Sequence, residues 1–343
     1  MNDYPFIEAC YKKPAKHIPV WYMRQAGRCL PEYRKLKEKY DILTLARTPA
    51  LATEVSLMPI KRFGVDAAIL FADIMLPLIG MGVDLDIVEK IGPVIKNPIR
   101  TMEDVQKLKV LTEAQDFKYL DETIANLKKE LSRMTPAVPL IGFSGAPFTL
   151  ASYLIEGKPS RDFALTKKMM HEEPDSWRFL MRVLTDSILF YLKVQVEAGI
   201  EAVQLFDSWV GCLSKDDYVK YVLPFSEEIF KGLKYANIPR IHFAVDTTAF
   251  LKEFASVDCE VVGIDWRISI PDAWKIIGEN KAIQGNLDPA TLLCDFEVIK
   301  KEVDKIIDSL PKREGFIFNL GHGVLPDTPY ETIIKLTEYI HGK

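Results

Sequence analysis

Eight short apolar runs, each followed by an amphipathic or charged stretch, constrain this chain more than any other feature. They are Val20–Met23, Ala67–Ala72, Val138–Phe143, Ala202–Phe206, Arg240–Val245, Val261–Ile264, Ala282–Gly285 and Phe316–Leu320. Near-continuous runs rich in branched residues suit parallel strands covered on both faces. Between two of them Trp177, Leu180, Met181, Leu184, Ile188, Tyr191 and Leu192 recur at helical spacing, with Gly199 as a stop. Strand and helix signals that alternate imply βαβ units. Eight strands then favour a closed (β/α)8 barrel of the TIM type over an open sheet, with residues 1–343 forming a single domain.

Local punctuation agrees with that plan. Thr328-Pro329-Tyr330-Glu331 reads as a capping box with proline at the first helical position, and Ser214 to Asp217 reads similarly. Val83 to Ile99 alternates enough to predict a small hairpin after the second strand. Met134 to Ile155 carries no charge and is long enough to span a bilayer, but Pro136, Pro139 and Pro147 would break such a helix. A buried strand, a loop and a helix start are expected there instead.

The formal net charge of −4 provides no global basic field for nucleic acid or an anionic membrane, so an anionic ligand must be caught by a local cluster. Five scattered cysteines without a CxxC pair read as free thiols of a reducing compartment. The start shows no basic region followed by an apolar run, and a cytoplasmic location is expected.

Barrel active sites lie at the C-terminal ends of the strands, and polar residues follow nearly every run here. They are Arg24 and Arg28, Asp73, Ser144 with Tyr153, Asp207 with Ser208, Asp265, Asn286 with Asp288, and His322. For Asp265, Asn286 and Asp288 a turn or cap role is the simpler reading. Arg24 and Arg28, four apart in a glycine-containing loop, either fork toward one anion or make weak surface salt bridges. Asp73 interrupts an apolar stretch, so it is either functional or neutralised by one of those arginines. His322 stands between two glycines, and alone it would read as structural.

Taken together, seven segments resemble the uroporphyrinogen decarboxylase family along nearly the whole chain. They are PVWYMRQAGRCLPEYR from Pro19, AAILFADIM from Ala67, GFSGAPFTLASYLIEG from Gly142, VQLFDSWVG from Val203, GIDW from Gly263, QGNLDP from Gln284 and FNLGHGVLPDTP from Phe318. The resemblance implies a barrel that dimerises and removes carbon dioxide from the four acetate arms of uroporphyrinogen, without metal or organic cofactor. Carried over by motif position, Asp73 is the carboxylate under the macrocycle. Arg24, Gln25, Ala26, Gly27 and Arg28 form the substrate loop. Tyr153 and Ser208 touch substrate, and His322 lies near a propionate. Arg24 or Arg28 with bound water is the expected proton donor, and His322 is its rival.

Four positions depart from the family pattern: Cys29 where an aromatic is common, Ala72 for serine, Phe148 for tryptophan, and Asp246 for glycine. Two other readings compete. Zinc methyltransferases of the same superfamily carry a His-x-Cys after a middle strand and a cysteine near the last strand. Here the first is His242-Phe243-Ala244 and the second is absent from Gly321-His322-Gly323. An inactive tetrapyrrole carrier would have no use for a carboxylate beneath the rings.

Overall fold

The computed structural model describes residues 4–88 and 91–343. Its strands are β1 (Ala68–Ile69), β2 (Leu85–Val88), β3 (Gly92–Ile95), β4 (Leu140–Gly145), β5 (Ala202–Phe206), β6 (Arg240–Phe243), β7 (Val261–Gly263), β8 (Ala282–Leu287) and β9 (Phe316–Leu320). Seven of them form one parallel sheet in the order β1-β4-β5-β6-β7-β8-β9. The antiparallel pair β2 and β3 is the hairpin expected within 83–99; part of its turn lies outside the described residues.

The first expected strand, Val20–Met23, is reduced to a single bridge between Val20 and Phe318. The backbone nonetheless joins the two edges of the sheet there. Phe318 N–H donates to Pro19 O at 2.9 Å and Trp21 N–H to Phe318 O at 3.3 Å, while Asp66 N–H donates to Val20 O at 2.8 Å. The segment shortens because Arg24 turns into the left-handed region with φ +60°, which ends extended pairing. The sheet therefore curls into a barrel whose eighth position is held by hydrogen bonds too few to count as a strand.

Side-chain alternation separates the barrel interior from the helix layer. Gly142 faces outward, where a Cβ would lie 2.5 Å from both Gln195 and Ile200. Its neighbour Phe143 therefore points inward. Across the interior, Trp21 Nε1 donates to Gln284 Oε1 at 2.9 Å and Gln284 Nε2 to Gln204 Oε1 at 3.0 Å, with all three side chains fully buried. The pairing satisfies Trp21 and both amide groups of Gln284, while Gln204 Nε2 is buried with no partner among the described residues.

The helix expected around Trp177–Leu192 runs from Pro174 to Ala198 and stops at Gly199, whose φ is +107°. Ser214 caps the helix Lys215–Tyr221 by accepting from Asp217 N–H at 3.1 Å. The other expected cap differs: Pro329 sits before the last helix, Tyr330–His341, not inside it, and no side chain caps that end. The charge-free stretch 134–155 resolves into a turn, β4, and a helix that opens at Pro147. Among the described residues no helix is long and apolar enough to cross a membrane.

Candidate active site

The loop after Val20 is shaped by its own backbone. Gln25 turns its side chain inward, accepting from Tyr22 N–H at 3.0 Å and donating to Ala67 O at 3.0 Å. It is fully buried, so of the RQAGR loop Gln25 holds the turn while Arg24 and Arg28 project into solvent. Ala26 and Gly27 are half-buried, and a Cβ on Gly27 would lie 2.7 Å from Arg24 O. Among the described residues neither arginine makes an ion pair or a side-chain hydrogen bond; the surface salt-bridge reading of this pair does not hold.

Asp73 lies just beyond β1, half-buried, and its Oδ1 accepts from Met75 N–H at 2.9 Å. Its Oδ2 has no partner among the described residues. Burial pushes the Asp73 carboxyl up, against the opposing pull of Met75 N–H and the Arg24 charge. The half-buried Tyr153 lies in the field of both Asp73 and Arg24, and burial raises its phenol to about 12. Tyr33 senses Arg28 and Asp73 together and is likewise raised by burial to about 12. Arg24, Arg28, Asp73 and Tyr153 thus share one neighbourhood, as their places at strand ends imply.

His322 joins them from the far end of the sheet. Its Nδ1 accepts from Gly323 N–H at 2.6 Å, which leaves the ring proton on Nε2. Burial lowers it to about 4, helped by Arg24 and opposed by Asp265. At neutral pH His322 is therefore an uncharged donor through Nε2. Both flanking glycines are required by close approach. A Cβ on Gly321 would lie 2.7 Å from Trp266 N, and one on Gly323 would lie 2.4 Å from Arg24 Cδ.

Two features went unnoticed in the sequence. The first is a row of aromatic edges: Phe143 meets Phe206 at 5.5 Å, Phe206 meets Phe243 at 5.8 Å, and Phe243 meets His322 at 6.3 Å. Register places Phe206 beside Gly145 and Phe243 beside Gly263, and the missing side chain of Gly263 leaves room for the Phe243 ring, where a Cβ would lie 2.8 Å from it. These aromatics look like ordinary strand residues until alternation assigns their face. The second is Arg267, one residue past the GIDW segment. It pairs with the buried Asp265 and lies 3.6 Å from Asp246, and its charge reaches His322. A cation directly after a strand end was the available signal.

The remaining strand-end residues divide cleanly. Asp265 accepts from Asp246 N–H at 2.7 Å, Asn286 donates to Asp265 O at 2.8 Å, and Asp288 accepts from Ala290 N–H at 2.9 Å. All three are structural, as expected. Asp246 explains its own departure from glycine, because its φ is +61° and aspartate tolerates that region better than most residues. Ser208 is half-buried beside Asp207, which is fully buried and accepts from Thr149 Oγ1 at 3.3 Å. Cys29 is buried, which raises its thiol to about 11, and Phe148 packs edge-on against Trp177 at 6.1 Å. His242 points away from the mouth: it is fully buried and stacks on Phe254 at 3.8 Å in the helix layer. It is not available to a ligand set facing the mouth.

The strand ends thus bring together a row of aromatic rings of which Phe206 is the half-buried member, one carboxylate with a free oxygen, a neutral imidazole donor, and three arginines. That arrangement suits a flat apolar body carrying peripheral carboxylates. Comparison with known proteins agrees. The family described as Uroporphyrinogen decarboxylase (URO-D) matches residues 1–342. The chain is 48% identical to the uroporphyrinogen decarboxylase of Carboxydothermus hydrogenoformans over 341 residues, covering 99% of this chain and 96% of that one. It is also 48% identical to the Bacillus subtilis protein of the same name, covering 98% and 94%. Among solved structures, a methyltransferase from Methanosarcina mazei matches with a TM-score of 0.79 at 17% identity over 98% of this chain and 97% of that chain, a likeness of fold.

Proposed function

This chain belongs to the uroporphyrinogen decarboxylase family, and we propose that its barrel mouth decarboxylates the four acetate arms of uroporphyrinogen III to give coproporphyrinogen III. The observation that carries this is Asp73, whose Oδ2 has no partner among the described residues and whose carboxyl senses Arg24 beside Tyr153 at the strand ends. Pyrrole N–H groups of a macrocycle lying over Phe206 would supply the missing hydrogen bonds.

The chemistry follows from charge. Loss of carbon dioxide leaves an electron pair that needs a sink, and an electron-rich pyrrole protonated on carbon provides one. The resulting cation forms next to Asp73, whose fixed negative charge stabilises it without reorganisation. Arg24 and Arg28 receive the peripheral carboxylates, with planar donor sets that match them. Tyr153 keeps its proton and serves as a neutral donor, and Ser208 lies on the loop beyond β5 within the same binding surface. Gln25 shapes the arginine loop from below.

The proton comes from a water held by Arg24 or Arg28. His322 is the weaker acid candidate, because a group lowered to about 4 is already deprotonated at neutral pH. Its Nε2–H instead donates to a propionate. The reading involves no cofactor, treats the chain as one domain, and includes a homodimer as in the family. A zinc-dependent transfer to a thiol is not favoured, since the His242 position faces the helix layer.

The test is an anaerobic assay on enzymatically generated uroporphyrinogen III, with products resolved by carboxyl count. Four-carboxyl product is expected. Bound substrate returned unchanged by folded protein would replace this reading with a carrier.

A further inference from the structure

The opposite end of the barrel holds a second cluster that the decarboxylation does not use. His17 precedes the barrel-closing segment, Asp66 precedes β1, and His341 ends the last helix. Asp66 bridges them, with Oδ1 2.7 Å from His17 Nε2 and Oδ2 2.8 Å from His341 Nε2. Val20 N–H also donates to Oδ2 at 2.7 Å, which fixes the carboxylate plane. The two imidazole rings lie 4.4 Å apart at an interplanar angle of 56°.

We propose that His17, Asp66 and His341 form a divalent transition-metal site, of the zinc class, at the closed end of the barrel. The donor set is two imidazoles and one carboxylate, a combination that suits zinc and its neighbours and leaves a fourth position for water. One ligand atom from each residue lies within 4.8 Å of the others. Metal bonds of about 2.0 Å put tetrahedral ligand atoms about 3.3 Å apart, so donor atoms already within 4.8 Å of one another reach bonding positions by side-chain movements on the order of an ångström.

Binding replaces the two N–H···O bonds. Each imidazole vacates Nε2, with its remaining proton on Nδ1, and offers the Nε2 lone pair to the ion, any second proton leaving to solvent. Asp66 exchanges two imidazole contacts for the metal and keeps Val20 N–H as the outer contact that orients it. Entry is open, because the His17 and His341 side chains are 20% and 27% exposed against 7% for Asp66. The neighbouring Lys343 does not compete for the carboxylate, since its ammonium is 2.6 Å from Asp304. A bound ion would staple three chain segments far apart in sequence, including the one that closes the sheet.

Chelator-treated full-length protein titrated with Zn(II) by calorimetry, and with Co(II) by visible absorption, tests this. One equivalent should bind, Co(II) should develop ligand-field bands that Zn(II) bleaches, and Zn(II) should raise Tm. His17→Gln and His341→Gln keep a donor to Asp66 and so keep the hydrogen-bonded clasp. Each should weaken binding by more than about a hundredfold and abolish the Tm response. Two results would overturn the site: no saturable binding by the wild type, or undiminished binding by both variants, which would place the ion elsewhere.

Discussion

The aliphatic stem of Arg24 lies against the Cα of Gly323, so close that a Cβ there would sit 2.4 Å from Arg24 Cδ and 2.7 Å from its Cγ. The first and last signature segments of the chain are thereby packed into one unit, also tied by Val324 N–H donating to Met23 O at 2.9 Å. Gly323→Ala should displace the Arg24 side chain without opening the core. Steady-state kinetics should show kcat/KM reduced by about tenfold or more with little change in Tm. Unchanged kinetics would mean that Arg24 is not held by this contact during turnover.

Arg28→Lys keeps the charge and removes the planar fork. If two arginines grip substrate carboxylates, KM should rise by roughly tenfold while kcat changes less. Arg267→Gln should raise KM by a smaller factor, because that side chain is already shared with Asp265 and Asp246.

For His322 the folded value of about 4 lies below the ordinary value of 6.5. The unfolded chain therefore binds the extra proton first as pH falls, so the native state loses stability between about pH 6.5 and 4. His322→Gln, which keeps an N–H donor, should flatten that part of the stability profile and retain most activity near neutral pH. A loss comparable to that of an Asp73 variant would make His322 an obligatory acid.

Much of the architecture was legible because a parallel barrel repeats one signal, an apolar run followed by an amphipathic helix. Val20–Met23 was the exception in kind: its pattern is that of a strand, but the left-handed turn at Arg24 leaves it one bridge. In the site, Arg24, Arg28, Asp73 and His322 stood out because charged groups next to apolar runs must be used or neutralised. The inward turn of Gln25 was not legible, because a motif does not show which way a side chain points. Phe143, Phe206 and Phe243 were invisible for the opposite reason, since a cleft floor and a core are written with the same residues. The His17–Asp66–His341 cluster draws on both ends of the chain, with Asp66 and His341 alone 275 residues apart, which no local pattern reveals.

The most direct test of the account is Asp73→Asn under single-turnover, anaerobic conditions, with substrate binding measured separately. Asparagine keeps the shape and can still accept from Met75 N–H but removes the negative charge. The account predicts substrate binding within about tenfold of wild type and a decarboxylation rate reduced on the order of a hundred- to a thousandfold. A variant that decarboxylates at the wild-type rate would contradict it, because the cation would then form without the carboxylate assigned to stabilise it.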